Sequence, residues 1–152
     1  MTSPHMAIPT QKGTYILHMH LPTHAHLVIG RLGAYDFAEG WYLYVGSAFG
    51  AGGLRGRLKH HLAHVTRPHW HVDYLRQAAP VYEVWYLASE TIYEHAWAQV
   101  LRNMDGGHVP VSRFGASDCR CEKHLVSFSF PPDLTLFCQQ AGVTLQRYAV
   151  SS

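Results

Sequence analysis

Residues 41–62 read WYLYVGSAFGAGGLRGRLKHHL, a strand that runs through a glycine-rich loop into a helix. Tyr42, Tyr44 and Val45 are aromatic or β-branched and fit a pleated strand. Four glycines between Gly46 and Gly53 then let the backbone turn or approach something closely. From Leu54 the period changes: Leu54, Leu58, Leu62 and Val65 recur at helical spacing as one apolar stripe. Arg57, His61 and His64 line a single edge of that stripe. A guanidinium and an imidazole thus emerge one turn apart, just beyond a tyrosine-bearing strand end. Taken alone, the pattern also fits an amphipathic helix with a solvated basic margin.

Working outward, residues 13–21 (GTYILHMHL) alternate as a strand, and Pro22-Thr23-His24 marks its turn. Residues 26–32 read as a second strand, and 33–40 return the chain to a third at 41–46. Three consecutive strands with short connections predict an antiparallel meander. His18, His20, His24 and His26 read as the polar face of a strand pair in preference to a metal clip. Downstream, Pro68 closes the helix over 54–65, and Val72, Leu75 and Ala79 suggest a short second helix. Residues 81–87 form a fourth strand candidate. Ser89 is placed to cap a helix over 90–104, with Trp97, Val100 and Leu101 on its apolar face and Glu90 and Glu94 at the margin. A loop and strand over 114–130 follow, then a short helix and final strand over 133–152. The expected fold is α+β, a small antiparallel three-stranded sheet flanked by helices. It occupies one domain over 12–130, with a C-terminal extension over 131–152 packed on it.

At 152 residues the chain is long enough to bury a real core. Only 14% of residues are charged, and 13 histidines stand in for part of the usual surface charge. Net charge is +2, unevenly spread: Arg55, Arg57, Lys59, Arg67 and Arg76 face Asp73 alone between positions 55 and 76. His60, His61, His64, His69 and His71 share that segment, which suggests a polyanionic partner. Three cysteines without a disulfide-like framework, no secretory leader and no long apolar run point to a reducing, cytoplasmic setting without a membrane. The opening MTSPHM is atypical, and Met6 is a candidate natural start. Cys119, Cys121 and His124 form a three-ligand cluster that lacks a local fourth donor, and Cys-x-Cys spacing is atypical for zinc modules. A Cys/His metal protein is accordingly the least supported reading. The loop FGASDCRCEKHL is expected to return to the region of Arg57 and His61 instead of forming a separate zinc knuckle.

Gly13-Thr14-Tyr15, Tyr44-Val45-Gly46, Arg57, His61 and a helical Glu94 resemble, in order and spacing, the GIY-YIG nuclease superfamily. WYLYVGSAFGAGGLRGRLKHHL, HWHVDYL and FGASDCRCEKHL are similar to the branch catalogued as domain of unknown function 123, which occurs alone or fused to endonuclease III. The resemblance implies Mg²⁺- or Mn²⁺-dependent hydrolysis of phosphodiester bonds in a repair or processing context. It implies Tyr15 and Tyr44 as the motif tyrosines, Arg57 as a phosphate contact, His61 one turn on, and Glu94 as metal ligand. Phosphoryl transfer needs fixed positive charge near the phosphate oxygens, which an arginine supplies, and one carboxylate can hold a Mg²⁺ that keeps most of its waters. Either tyrosine, or His61, could serve as base. Glu90 is expected in the first turn of its helix, where a carboxylate has a local role, which leaves Glu94 for the metal. Arg55, Lys59, His64, Arg67, His69 and His71 are the expected nucleic-acid contacts. The partner is DNA, including branched or damaged forms, with RNA left open. Two departures stand out: Thr14 replaces the motif isoleucine, and the sole asparagine, Asn103, falls too close to Glu94 for the active-site asparagine many relatives carry. A nucleic-acid-binding module without turnover is the alternative function.

Overall fold

A computed structural model describes residues 7–111 and 124–150. Among the described residues the strands and α-helices follow in the order β1 (Gly13–Leu21), β2 (Ala25–Ile29), β3 (Gly33–Phe37), β4 (Gly40–Ala48), α1 (Gly53–Leu62), α2 (His71–Arg76), β5 (Val81–Ala88), α3 (Glu94–Asn103), β6 (Leu125–Phe128), α4 (Leu134–Ala141) and β7 (Gln146–Ala149). The main sheet has five antiparallel strands in the order β6-β4-β1-β5-β7, larger than the three-stranded sheet expected. The α+β class holds, with the antiparallel sheet packed between helices.

The meander expectation fails at its second member. Strand β2 ends at Ile29, a 3-10 turn follows over Gly30–Leu32, and the segment read as a return path is itself strand β3. Strands β2 and β3 pair only with each other, while β4 pairs directly with β1. The reason is visible in burial: only Ile29 and Phe37, at the two strand ends, are fully buried. The pair instead lays one face, Ala25, Leu27, Ile29, Tyr35 and Phe37, against the core cluster from outside the main sheet.

Strand β1 lies at the centre and is buried on both faces. Tyr15, Leu17, Met19 and Leu21 face Leu54 and Leu58 of α1 and Val72 and Leu75 of α2 in one core cluster. Ile16 faces the other, with Val45, Trp85, Trp97 and Leu101 of α3 and Phe137 of α4. His18 shares that second face and is 1% exposed, its ring 3.9 Å from Trp85. It is therefore core and not part of a polar face. His20 stacks on Trp41, whereas His24 and His26 pair with Asp36 on the outer hairpin, so the four histidines do not converge. Strand β7 adds to the β5 edge of the sheet. Among the described residues no helix is long and apolar enough to cross a membrane.

Gly53 explains the end of the loop before α1. Gly53 has φ +58, and a side chain there would collide with the backbone of Thr10 and Gln11. Those neighbours are the helix cap: the first N–H groups of α1 donate to the carbonyls of Gln11 (2.9 Å) and Pro9 (2.9 Å). What the glycine-rich loop approaches is the protein's own N-terminal segment.

Candidate functional site

Three segments meet at one end of the sheet. Gly13 of β1 pairs with Ala48 of β4 and with Ala88 of β5, and Tyr44 pairs with Leu125 of β6. The loop into α1, the start of α3 and the residue before β6 therefore gather there, around a cavity of about 400 Å³. Tyr15, Tyr44, Arg57, His61 and Glu94 all line it. A larger and more open cavity of about 730 Å³ lies past the end of α1, lined largely by Leu62, Val65, Pro80, Val81 and Val150. It takes only His61 and His64 from the expected residues, so the smaller cavity is the candidate site.

Burial dictates the state of the floor. The Tyr15 hydroxyl lies 2.8 Å from His61 Nε2, and both residues are 1% exposed. Burial pushes the Tyr15 phenol up to about 12, although the charge and hydrogen bond of Arg57 pull against it. Burial likewise holds Tyr44 well above the ordinary tyrosine range, helped by Tyr15 and Glu94. His61 is driven well below the usual histidine value, first by burial and then by the charge of Arg76. A protonated phenol thus faces a neutral imidazole, and the hydroxyl donates to Nε2. His61 then carries its own proton on Nδ1, a buried atom without a hydrogen-bond partner among the described residues. Gly46 completes this floor, because a Cβ there would strike the Tyr15 ring.

Arg57 is fixed from two sides. Its Nη1 donates to the Ser47 carbonyl at 3.1 Å, and its guanidinium carbon sits 4.6 Å over the Trp70 ring. The opposite wall comes from α3. That helix begins at Glu94 and not at Glu90, which corrects the assignment of Glu90 to the first turn: Glu94 is the first-turn carboxylate. Ser89 caps no helix; its Oγ accepts from the Thr91 N–H at 3.0 Å in the turn before α3. Glu94 therefore has the favourable helix-dipole position as well as a place in the cavity. Thr14 supplies a tie at this junction. Its buried Oγ1 accepts from the Tyr93 N–H at 3.2 Å, which an isoleucine could not do.

His124, the histidine of the FGASDCRCEKHL stretch, lies at this site, where that stretch was expected to return. It is 2% exposed, its Nδ1 lies 3.3 Å from the Val45 carbonyl and 3.7 Å from Glu94 Oε1, and its own carbonyl accepts from Val45 N–H at 3.0 Å. This histidine lines the cavity; Cys119 and Cys121 fall outside the described residues. Trp70, Phe49 and Ile92 also line it, and nothing in their spacing marked them out from packing residues. Of the expected nucleic-acid contacts, His71 reaches the cavity. Lys59, His64, Arg67 and His69 are exposed along and beyond α1, and Arg55 donates to the Ile8 carbonyl at 2.7 Å. Asn103 is exposed at the far end of α3.

Beside the floor, His60, His61 and Asp73 bring ligand-capable atoms within 4.8 Å of one another. Asp73, fully buried, already accepts from the N–H groups of His69 (2.8 Å) and Trp70 (2.9 Å) and from Arg76 Nε and Nη2, with His60 Nε2 at 3.2 Å. These donors fill the carboxylate's lone pairs, and a cation would have to displace them.

Fold and cavity together define a small α+β domain that sets a carboxylate, a guanidinium, an imidazole and two phenols around one end of its central sheet. The chain belongs to the family described as Domain of unknown function DUF123, which matches residues 14–147. No curated protein and no solved structure matches it.

Proposed function

We propose that this chain is a metal-dependent endonuclease of the GIY-YIG type, hydrolysing phosphodiester bonds in DNA. One observation carries the reading: five residues spread from position 15 to position 94 converge on a single cavity with complementary chemistry. Arg57, braced by Ser47 and Trp70, offers a fixed cation to a phosphate oxygen without having to be ordered first. Glu94 is the half-buried carboxylate of the cavity, and with His124 beside it fits a hydrated Mg²⁺ or Mn²⁺. A bound divalent ion would supply charge neutralisation at the phosphate. Tyr15, held protonated, does not act alone as a base. Its hydroxyl can pass a proton to the neutral His61 as it takes one from a water, which makes the pair a proton relay.

A binding module without turnover would gain the helix-start contribution of Glu94 but no phosphate contact from it, because a bare carboxylate beside a phosphate repels it. The deciding experiment incubates the protein with branched, flapped and damaged DNA, and with RNA, under Mg²⁺, Mn²⁺ or chelator. Cleavage that requires the ion and is lost in Glu94→Gln supports the proposal. Binding without cleavage under every condition selects the binding module.

A further inference from the structure

Every group assigned to chemistry lies below the surface. Tyr15 and His61 are 1% exposed, Tyr44 is 8% exposed, and the Glu94 side chain is 17% exposed. Apolar side chains also line the cavity: Phe49 and Trp70 are half-buried, and Ile92, just before α3, is 60% exposed, beside the exposed His95. Phe49 and Ile92 line the same cavity as Arg57, so the exposed side chain of Ile92 stands at the mouth of the site. The cavity's 400 Å³ is in the range that encloses a small molecule, not a groove in which a double helix could lie.

From this shape, and resting on the nuclease reading above, we infer that the substrate is an unpaired DNA strand whose nucleotide enters the cavity, with its bases packed on Phe49 and Ile92. A duplex is stiff over many turns and keeps its bases stacked inside. It turns phosphates and sugars outward, and to these Phe49 and Ile92 offer neither charge nor donor. An unpaired nucleotide has no such limit. It can turn out of the strand, place its phosphate on the half-buried Arg57 and lay a base face against Phe49 or Ile92. Charge agrees with this occupant, since Lys59 and Arg67 are exposed in the same basic segment as Arg57 and can follow a backbone leaving the cavity. The segment's exposed cations hold the strand, and Phe49 and Ile92 select for the absence of pairing.

The test uses the full chain carrying Glu94→Gln and fluorescence anisotropy with a labelled 20-nucleotide DNA, either single or annealed to its complement, at one salt concentration. The single strand is expected to bind about 10-fold more tightly or better, as stacking of one or two bases supplies. Phe49→Ala combined with Ile92→Ala should weaken single-strand binding about 5-fold or more and narrow that gap, with an unchanged melting temperature showing that the fold is kept. In parallel, the protein with Glu94 intact is given Mn²⁺ and a duplex that is fully paired or interrupted by an unpaired stretch. Cleavage confined to the unpaired stretch supports the inference. Equal binding and equal cleavage of both forms overturn it while leaving the nuclease reading intact. Single-strand selectivity with no cleavage keeps the inference and overturns the nuclease reading. Binding of neither form overturns both. An RNA strand of the same sequence, as a further arm, overturns the restriction to DNA if it binds and is cut equally well.

Discussion

Two buried polar clusters flank the last turn of α1, and they use their atoms in opposite ways. In the knot around Asp73, the carboxylate accepts from two backbone N–H groups, from His60 and from Arg76. Arg76 also donates to the carbonyls of His60, His61 and Ala63, the last carbonyls of α1, which it caps. In the cavity a few ångströms away, His61 Nδ1 and Ser47 Oγ are buried without a partner among the described residues. Buried polar groups in folded proteins are nearly always satisfied, so the two clusters answer different demands. A filled network holds a helix end in place; an unfilled one has donors and acceptors left for something that enters. Both contain histidine and charge, and composition alone does not separate them.

The largest effect falls on the unfilled side. Glu94→Gln keeps the shape of the side chain and removes the charge that would hold a divalent ion, so cleavage should drop by about 10³-fold or more. Thermal stability should change little. Glu90→Gln, on an exposed residue outside α3, should leave cleavage within about twofold. Loss of activity in Glu90→Gln with retention in Glu94→Gln would break the assignment.

On the filled side the effect should appear in stability. Asp73→Ala leaves Arg76 buried and unpaired and frees two backbone N–H groups, a change of about 3 kcal/mol by chemical denaturation. His61→Gln should cost less than half as much, since His61 already leaves one buried nitrogen unsatisfied. Equal losses in the two variants would show that the contrast between knot and cavity is not energetic.

Acid separates the same two regions. His61 has a folded pKa below its unfolded value of 6.5, so below that pH the unfolded chain takes up a proton that the folded chain refuses. Stability must then fall as pH falls. His18 acts in the same direction, held at about 3 by burial and by the charge of Arg147, so the window opens near 6.5. Each buried histidine contributes a slope of about 1.4 kcal/mol per pH unit there. For Asp73, burial alone would raise the carboxyl, but the hydrogen bonds of Trp70, His69 and His60 and the charge of Arg76 outweigh it and lower it. Its stabilisation is present above the unfolded carboxylate value near 4 and is lost only as pH falls below it. Stability curves between pH 6.5 and 4.5 should therefore flatten by about one histidine's slope in His61→Gln and keep their slope in Asp73→Asn.

Much of the cavity was legible in the sequence. Tyr15, Tyr44, Arg57 and His61 match in order and spacing the motifs that carry the resemblance, while the periods of their two strands and one helix placed them only within elements. The helix start at Glu94 was not legible, because Ser89 satisfies the usual capping pattern yet bonds only to Thr91 in a turn. The knot was equally hidden: Asp73 enters the sequence as a single charge among five bases, and its partners include backbone groups that no pattern of side chains reveals. The β2–β3 hairpin shows the limit for strands. Alternation identifies a strand but not its partner, and only burial decides which pairs join the main sheet. The return of His124 to the site was expected from its loop, but its contacts with the Val45 carbonyl and Glu94 were not legible in the spacing.

The smallest expected effect concerns the surface that joins the two regions. Lys59 lies on the outer side of α1 and Arg67 in the loop beyond it, both exposed and outside either network. Contacts between such residues and phosphates release condensed counterions, so their contribution is read in the salt dependence of binding and not in sequence preference. Replacing both by alanine should lower affinity about equally for all sequences. It should also flatten the slope of log affinity against log salt by up to ~2 units, about one for each lost phosphate contact. Arg55 makes a useful contrast, since its Nε is bonded to the Ile8 carbonyl and it helps hold the N-terminal segment against α1. Arg55→Ala should therefore shift the melting temperature more than Lys59→Ala does. An unchanged salt slope in the Lys59→Ala/Arg67→Ala protein would mean that this face is only solvated charge, and that a bound strand leaves the cavity by another path.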